Sequence, residues 1–159
     1  TISFIEGFGL AAETLTGNFV GRGKRDRLPS LVGVTVGTGV LFALIFAGIS
    51  IGFPHTVFII LTNHLEIIYE IKIYVFWLLP LLIFNAIAFM FDGYFIGLNN
   101  TAVIRNSALI GLFFGFIPFS ILAWFHQDNH ILWLSVVILM IVRTIYINII
   151  FLKKMLQIR

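Results

Sequence analysis

The chain alternates between long apolar runs and short polar segments, and this alternation predicts its secondary structure. A helix of about 20 predominantly apolar residues is long enough to cross the hydrocarbon core of a bilayer. Runs of that length recur along the sequence, and stretches rich in charged residues, Asn, Pro or Gly separate them. The pattern predicts an all-α integral membrane protein with five transmembrane helices, at about 1–20, 29–53, 71–97, 108–125 and 131–152.

The third run, 71–97, contains polar residues that fit a membrane helix poorly. Asn85 and Asp92 are seven residues apart, so they share one face of a helix. An ionisable side chain inside a membrane span is costly, and it is a functional-site hypothesis by default. We therefore interpret Asp92 and Asn85 as candidate cavity-lining residues.

Two prolines lie within predicted spans. Pro80 falls inside the third run and Pro118 inside the fourth. A proline in a helix interior removes one backbone donor and crowds the carbonyl group four residues earlier. The sequence therefore predicts a helix kink at each proline.

The composition agrees with a membrane location. Of the 159 residues, 60% are hydrophobic and 11% are charged, whereas a soluble domain carries about 25% charged residues. The absence of cysteine excludes disulfides and thiolate metal sites. No third potential ligand lies near His55 and His64, so the sequence predicts no metal site.

Basic residues are concentrated in alternate connections. The segments 21–28, 98–107 and 153–159 hold eight of the ten Lys and Arg residues, whereas 54–70 and 126–130 hold acidic residues and no Lys or Arg. Because positively charged connections stay in the cytoplasm, the pattern predicts a multi-pass protein of the cell inner (plasma) membrane with a cytoplasmic C-terminus. The net charge of +3 is divided among short segments, which gives no indication of a nucleic-acid partner.

Four ionisable residues inside the predicted spans are the candidates for chemistry: Glu6, Glu13, Asp92 and Arg143. A carboxyl group in an apolar site can take up a proton near neutral pH, which would make Asp92 proton-sensitive. Alternatively, Asp92 binds a cation with help from Asn85 and free backbone carbonyls. A third interpretation is structural, with Asp92 paired to Arg143 or capping a neighbouring helix. Glu6 and Glu13 share one helical face and are further candidates for lining a cavity or coupling to a cation.

Two stretches carry a family resemblance. Residues 6–28 read EGFGLAAETLTGNFVGRGKRDRL, and residues 89–107 read FMFDGYFIGLNNTAVIRNS. They resemble the acidic-Gly-Phe-Ala…Ala-Ala-Glu-Ala-Leu-Val-Gly…Gly pattern of the eighth helix and the Asp-Gly-x-x-x-Gly…Arg-Asn pattern of the tenth helix in multidrug and toxic compound extrusion (MATE) transporters, in the DinF-like branch. The likeness covers essentially the whole chain, with Glu6 and Gly9 where Asp and Ala are more usual.

The resemblance implies a twelve-helix transporter of two lobes, of which this chain supplies helices eight to twelve of the C-lobe. Its partners would be the lipid bilayer, the N-lobe of the same polypeptide and small amphipathic substrates. Such transporters export organic cations and other amphipathic compounds in exchange for a proton or sodium, with no cofactor besides that coupling ion. Asp92 matches the acidic position of the tenth helix that helps to bind the coupling cation in the related NorM branch.

Other functions remain open at this point. A lipid-linked oligosaccharide flippase of the same superfamily would need a basic cavity for pyrophosphate, and Arg143 is the only strongly intramembrane base. A non-transporting membrane scaffold would leave Glu6, Glu13 and Asp92 unexplained. The sequence has no phosphate-binding loop, HExxH motif or GxSxG motif, and it therefore predicts a protein that is not an enzyme.

Overall fold

The computed structural model describes residues 2–54, 57 and 73–158, with side chains described for 7–24, 26–54, 57 and 73–156. Within these residues the chain forms helices and turns and no strand. The long helices are α1 Ile2–Gly21, α2 Leu28–Gly52, α3 Leu78–Gly97, α4 Thr101–His126 and α5 Asn129–Ile158.

Four helical stretches in the described part of the chain are long and apolar enough to cross a membrane. They are Leu28–Gly52, Val75–Gly97, Thr101–His126 and Asn129–Leu156. The predicted fold class, an all-α membrane protein, is confirmed. Helix α1, which the sequence predicts as a further span, is not among the four, because Glu6 and Glu13 lower its hydropathy.

The helices extend beyond the predicted spans at two places. Helix α4 begins at Thr101, inside the segment predicted as a polar connection, and α5 continues to Ile158. Both extensions carry charged residues, which end a hydrophobic run without ending a helix. Hydropathy therefore marks the apolar part of each helix and not its ends.

Tight turns follow α1 and α3. After α1, Gly23 has a φ of +69°, and the amides of Gly23 and Lys24 donate to the carbonyls of Val20 and Phe19. This is the Schellman arrangement, in which a left-handed residue satisfies the last carbonyls of a helix. Asn99 closes α3 in the same way, with φ 54°. Each of these turns lets the next helix begin within a few residues.

Helix α3 lies at the centre of the described bundle. It contacts α1, α2, α4 and α5, and every residue from Met90 to Phe95 is buried. The hydrophobic core sits near its C-terminal end, where Phe91 and Tyr94 meet the ring of Phe151 in α5 edge to face. The buried members of this core are Leu28, Val32, Phe91, Tyr94, Phe95, Val103 and Ile147.

The two prolines lie beside changes of helix type. Pro80 is the third residue of α3, directly after a 3₁₀ turn at Val75–Trp77. The 3₁₀ turn and α3 together form the helical stretch Val75–Gly97, and Pro80 lies near the start of that stretch. Pro118 lies two residues after Gly111–Phe116, a π-helical segment inside α4. The wider π turn accommodates a proline that cannot donate a hydrogen bond.

Candidate functional site

An open cleft of about 320 Å³ lies between α1, α3 and the start of α4. Two of its lining residues are acidic: Glu13 of α1, which is half-buried, and Asp92 of α3, which is buried. The rest of the lining is apolar or glycine, namely Gly9, Leu10, Phe89, Gly93, Ile96 and Ile104. Two carboxyl groups therefore face one space with mostly apolar walls.

Glycines let α1 and α3 approach closely enough to form this cleft. A Cβ atom on Gly93 would collide with the backbone carbonyl of Gly9. One turn further along α3, a Cβ atom on Gly97 would lie 2.6 Å from the carbonyl oxygen of Glu13 and 2.7 Å from Cβ of Thr16. A side chain at either position would separate the helices, so the Gly93–Gly97 pair sets the spacing at which Glu13 and Asp92 share the cleft.

Arg143 approaches Asp92 from α5. Arg143 Nη2 donates a hydrogen bond to Asp92 Oδ2, and the side chains are only 15% and 12% exposed. Among the described residues this is the only ion pair. A charged group in a low-dielectric interior needs such a partner, because desolvation penalises an unpaired charge heavily.

The ion pair leaves polar atoms unsatisfied on both partners. Asp92 Oδ1 and Arg143 Nε are buried and have no hydrogen-bond partner among the described residues. An unsatisfied buried polar atom costs roughly 1–3 kcal/mol. The carboxylate therefore has one oxygen bound by arginine and another with free lone pairs, which is able to accept a proton or contact a small cation.

Two glycines let α4 pack closely against α5, the helix that carries Arg143. A Cβ atom on Gly111 would lie 3.5 Å from Cβ of Arg143, and one on Gly115 would lie 2.6 Å from Cα of Leu139. Both glycines belong to the π-helical segment of α4. This segment therefore packs directly against the turn of α5 from which Arg143 reaches Asp92.

A second polar contact also joins α3 to α5. Thr144 Oγ1 donates a hydrogen bond of 3.3 Å to the backbone carbonyl of Phe84. Because Thr144 is adjacent to Arg143, the two polar contacts connect neighbouring positions of α5 to α3. Asn148 Nδ2 in turn donates to the carbonyl of Thr144.

The other predicted site residues are placed differently. Asn85 is half-buried in α3, but it does not line the cleft. Seven residues along a helix correspond to about 10 Å, so a shared face does not bring Asn85 into the same space as Asp92. The side chain of Glu6 lies outside the described residues, as do His55 and His64. Pro80 and Pro118 lie away from the cleft lining.

Some residues that shape the site were not predicted from the sequence. Gly93 and Gly97 are four residues apart, and this spacing is the signal that could have identified the contact with α1. Thr144 carries no comparable signal, because a single threonine in a membrane span usually bonds within its own helix. In the described part of the chain, no group of three or more His, Cys, Asp and Glu residues is arranged to hold a metal ion.

Comparison with known proteins gives one match. The family model described as MatE matches residues 1–122. This range contains Glu13, Asp92 and the Gly93–Gly97 pair, and it ends before Arg143. No curated protein and no solved structure matches the chain.

Proposed function

The chain belongs to the MatE family of membrane efflux transporters, and we propose that it forms part of a cation-coupled antiporter of the DinF-like branch. The exported compounds are organic cations or other amphipathic molecules, and a proton or a sodium ion moves in the opposite direction. No other cofactor takes part. The chain works together with an N-lobe of the same polypeptide.

The observation that carries this proposal is the half-satisfied carboxylate of Asp92. Arg143 binds one carboxylate oxygen, whereas Oδ1 is buried without a partner among the described residues. Asp92 also lines an open cleft together with Glu13. A purely structural ion pair would gain stability by satisfying both oxygens, so the free oxygen favours a role in binding a proton or cation.

The charges around the cleft suggest how an ion could change the structure. With Glu13, Asp92 and Arg143 all ionised, the group carries one net negative charge. A monovalent cation or a proton would neutralise it and weaken the attraction between Asp92 and Arg143. The coupling ion must bind inward- and outward-open states with different affinity, because equal affinity drives no change. We propose that the ion pair between α3 and α5 is the contact that differs.

The substrate site and the orientation follow from the same proposal. We place the substrate between the two lobes, against aromatic and aliphatic walls that the 18 phenylalanines help to form. The membrane is the cell inner (plasma) membrane, with the C-terminus in the cytoplasm. Exposed basic residues at one end of the bundle support this orientation: Arg22, Lys24, Arg27, Arg105 and Lys153.

A lipid-linked oligosaccharide flippase fits these contacts less well. Such a protein needs a basic cavity for pyrophosphate, whereas Asp92 binds Arg143 and the ionisable residues that line the cleft, Glu13 and Asp92, are acidic. A membrane scaffold would not require two carboxyl groups in an open cleft. Both alternatives predict that no ion flux accompanies an amphipathic cation.

The test is substrate-driven proton and sodium flux in vesicles that contain the complete two-lobed transporter. Asp92→Asn removes the negative charge and nearly preserves the shape of the side chain. Asp128→Asn is the matched control, because Asp128 is an exposed carboxylate. Its Oδ1 accepts a hydrogen bond from the backbone amide of His130, and the side-chain oxygen of asparagine can accept the same bond. We expect Asp92→Asn to abolish coupled flux and Asp128→Asn to retain it. Unchanged flux in Asp92→Asn, in protein that is folded to the same extent, contradicts the coupling role.

A further inference from the structure

A second cleft, of about 410 Å³, lies at the end of the bundle that carries the basic turn. We call it the Arg27 groove, and it is lined by Phe19 of α1 and by Arg27, Ser30, Leu31 and Val34 at the start of α2. Phe19 and Leu31 pack on one side against the hydrophobic core, whereas Val34 is 62% exposed. The groove therefore has an apolar wall with polar groups at its rim.

The polar and apolar groups are ordered along the helix axis. Arg27, Ser30, Leu31 and Val34 follow a spacing of three and four residues, which places them along one face of α2. Arg27 precedes the first residue of α2, and Val34 lies about two turns further into the helix. Because α2 is long and apolar enough to span a membrane, the Val34 end of the groove lies toward the hydrocarbon and the Arg27 end toward the surface.

The backbone holds Arg27 in place. Its amide donates to the carbonyl of Lys24, and the Schellman turn at Gly23 anchors Lys24 to the end of α1. Pro29 restricts the backbone of the first turn of α2. The backbone of Arg27 is thus held in a closed turn, which reduces the backbone entropy lost when the residue binds a ligand.

The electrostatics at this end of the groove favour an anion. Arg22, Lys24 and Arg27 are exposed, and Asp26 is the single acidic residue of the same turn. Among the described residues the only ion pair is that between Asp92 and Arg143, which is elsewhere in the bundle. The positive charge beside the groove is therefore not neutralised by a neighbouring side chain in the described part of the chain.

We propose that the Arg27 groove binds an anionic phospholipid. The phosphodiester group contacts the guanidinium of Arg27 and the hydroxyl of Ser30, and one acyl chain lies along Phe19, Leu31 and Val34. A planar guanidinium matches the geometry of phosphate oxygens, and basic pockets between membrane helices recognise anionic head groups. The lipid surrounds the groove in the bilayer, and it has both the negative head and the apolar chain that the lining requires. This inference does not depend on ion coupling at Asp92.

The test measures lipid binding to the delipidated full chain by native mass spectrometry. The probes are dioleoylphosphatidylglycerol, which is anionic, and dioleoylphosphatidylcholine, which is zwitterionic. We expect tighter binding of phosphatidylglycerol. Arg27→Gln should weaken that binding about fivefold, the effect of one basic residue near an anionic lipid. Arg105→Gln is the matched control, since Arg105 is exposed, carries the same charge and lies outside the groove.

A second pair of variants tests the acyl-chain wall. Val34→Trp should fill the apolar part of the groove and weaken phosphatidylglycerol binding, whereas Ile45→Trp, at another exposed position of α2, should not. The melting temperature of each variant shows whether it is folded like the parent chain.

Three results would overturn the proposal. Equal losses in Arg27→Gln and Arg105→Gln would indicate a diffuse charge effect without a site. Unchanged binding in Val34→Trp would mean that no acyl chain occupies the groove. Displacement of the lipid by inorganic phosphate alone would identify a site for free anions and not for a lipid.

Discussion

Arg143 on α5 donates a hydrogen bond from Nη2 to Oδ2 of Asp92 on α3, and both side chains are largely removed from solvent. The two residues are 51 positions apart in the sequence. Their contact links the helix that lines the acidic cleft to the last helix of the chain. The stability of the bundle and the charge of the cleft therefore depend on the same pair.

Removal of Arg143 should destabilise the protein strongly. In Arg143→Met the carboxylate of Asp92 loses its counter-ion inside the bundle, and we expect the free energy of unfolding to fall by roughly 3–5 kcal/mol. Reversible unfolding in mixed micelles measures the change. Arg105→Met is the control, and its effect should stay within about 0.5 kcal/mol because Arg105 is exposed. The double variant Asp92→Asn/Arg143→Met should lose less stability than the sum of the single variants. Additive losses would show that the two side chains do not interact.

The spacing between α1 and α3 should depend on Gly93. A Cβ atom there meets the carbonyl of Gly9, so Gly93→Ala forces the helices apart and should lower the free energy of unfolding by about 1–3 kcal/mol. Gly37→Ala is the matched control, because no atom of the described residues lies within 4 Å of the added Cβ. Cross-linking between cysteines introduced at Leu10 and Ile96, which line the same cleft, reports the separation of the helices. Equal stability of the two variants would contradict the close contact.

The hydrogen bond between Thr144 and α3 should contribute modestly to the stability of the protein. Thr144→Val removes the hydrogen bond to the carbonyl of Phe84, and hydrogen bonds between membrane helices contribute about 0.6 kcal/mol on average. Thr38→Val serves for comparison, since Thr38 bonds to the carbonyl of Val34 in its own helix at 2.9 Å. The same unfolding measurement should show a clear loss for Thr144→Val and almost none for Thr38→Val. The reverse order would mean that the α3–α5 hydrogen bond is absent.

The turn between α1 and α2 should require glycine at position 23. Its φ of +69° is strained for any residue with a Cβ atom, and Gly23→Ala should destabilise the protein by about 1–2 kcal/mol. Gly21→Ala places a Cβ atom where nothing lies within 4 Å, and Gly21 has no positive φ, so that variant should keep the parent stability. Thermal unfolding of the two variants in the same detergent separates the effects. A stable Gly23→Ala variant would exclude the left-handed conformation.

Glycine spacing shows how far a pattern within one helix predicts packing. The sequence contains the pairs Gly33/Gly37 and Gly111/Gly115 with the same separation. In the structure Gly111 and Gly115 lie against α5, whereas no described atom lies within 4 Å of a Cβ added at Gly33 or Gly37. The spacing creates a smooth surface on one helix, but a contact also requires a second helix of matching shape.

The candidate site also was only partly predictable from the sequence. The sequence identified Glu13, Asp92 and Arg143 as ionisable residues in apolar surroundings, because charge is rare in such segments. It did not decide among a proton-sensitive Asp92, a cation-binding Asp92 and an Asp92 paired with Arg143. It also grouped Asn85 with Asp92, whereas the cleft includes Asp92 and excludes Asn85. These questions depend on which helices pack against each other. The periodicity within one helix does not identify the helix that packs against it.

The sequence by itself determined that this protein is helical and resides in a membrane, because the length and hydropathy of each run are local properties set against the thickness of a bilayer. It also located the polar turns and the rare intramembrane charges. Only the tertiary structure decided that α3 is central, that Gly93 meets Gly9, and that Asp92 shares a cleft with Glu13 while it binds Arg143. Those contacts depend on the rotation and spacing of whole helices. Packing between segments that are far apart in the sequence sets that rotation and spacing.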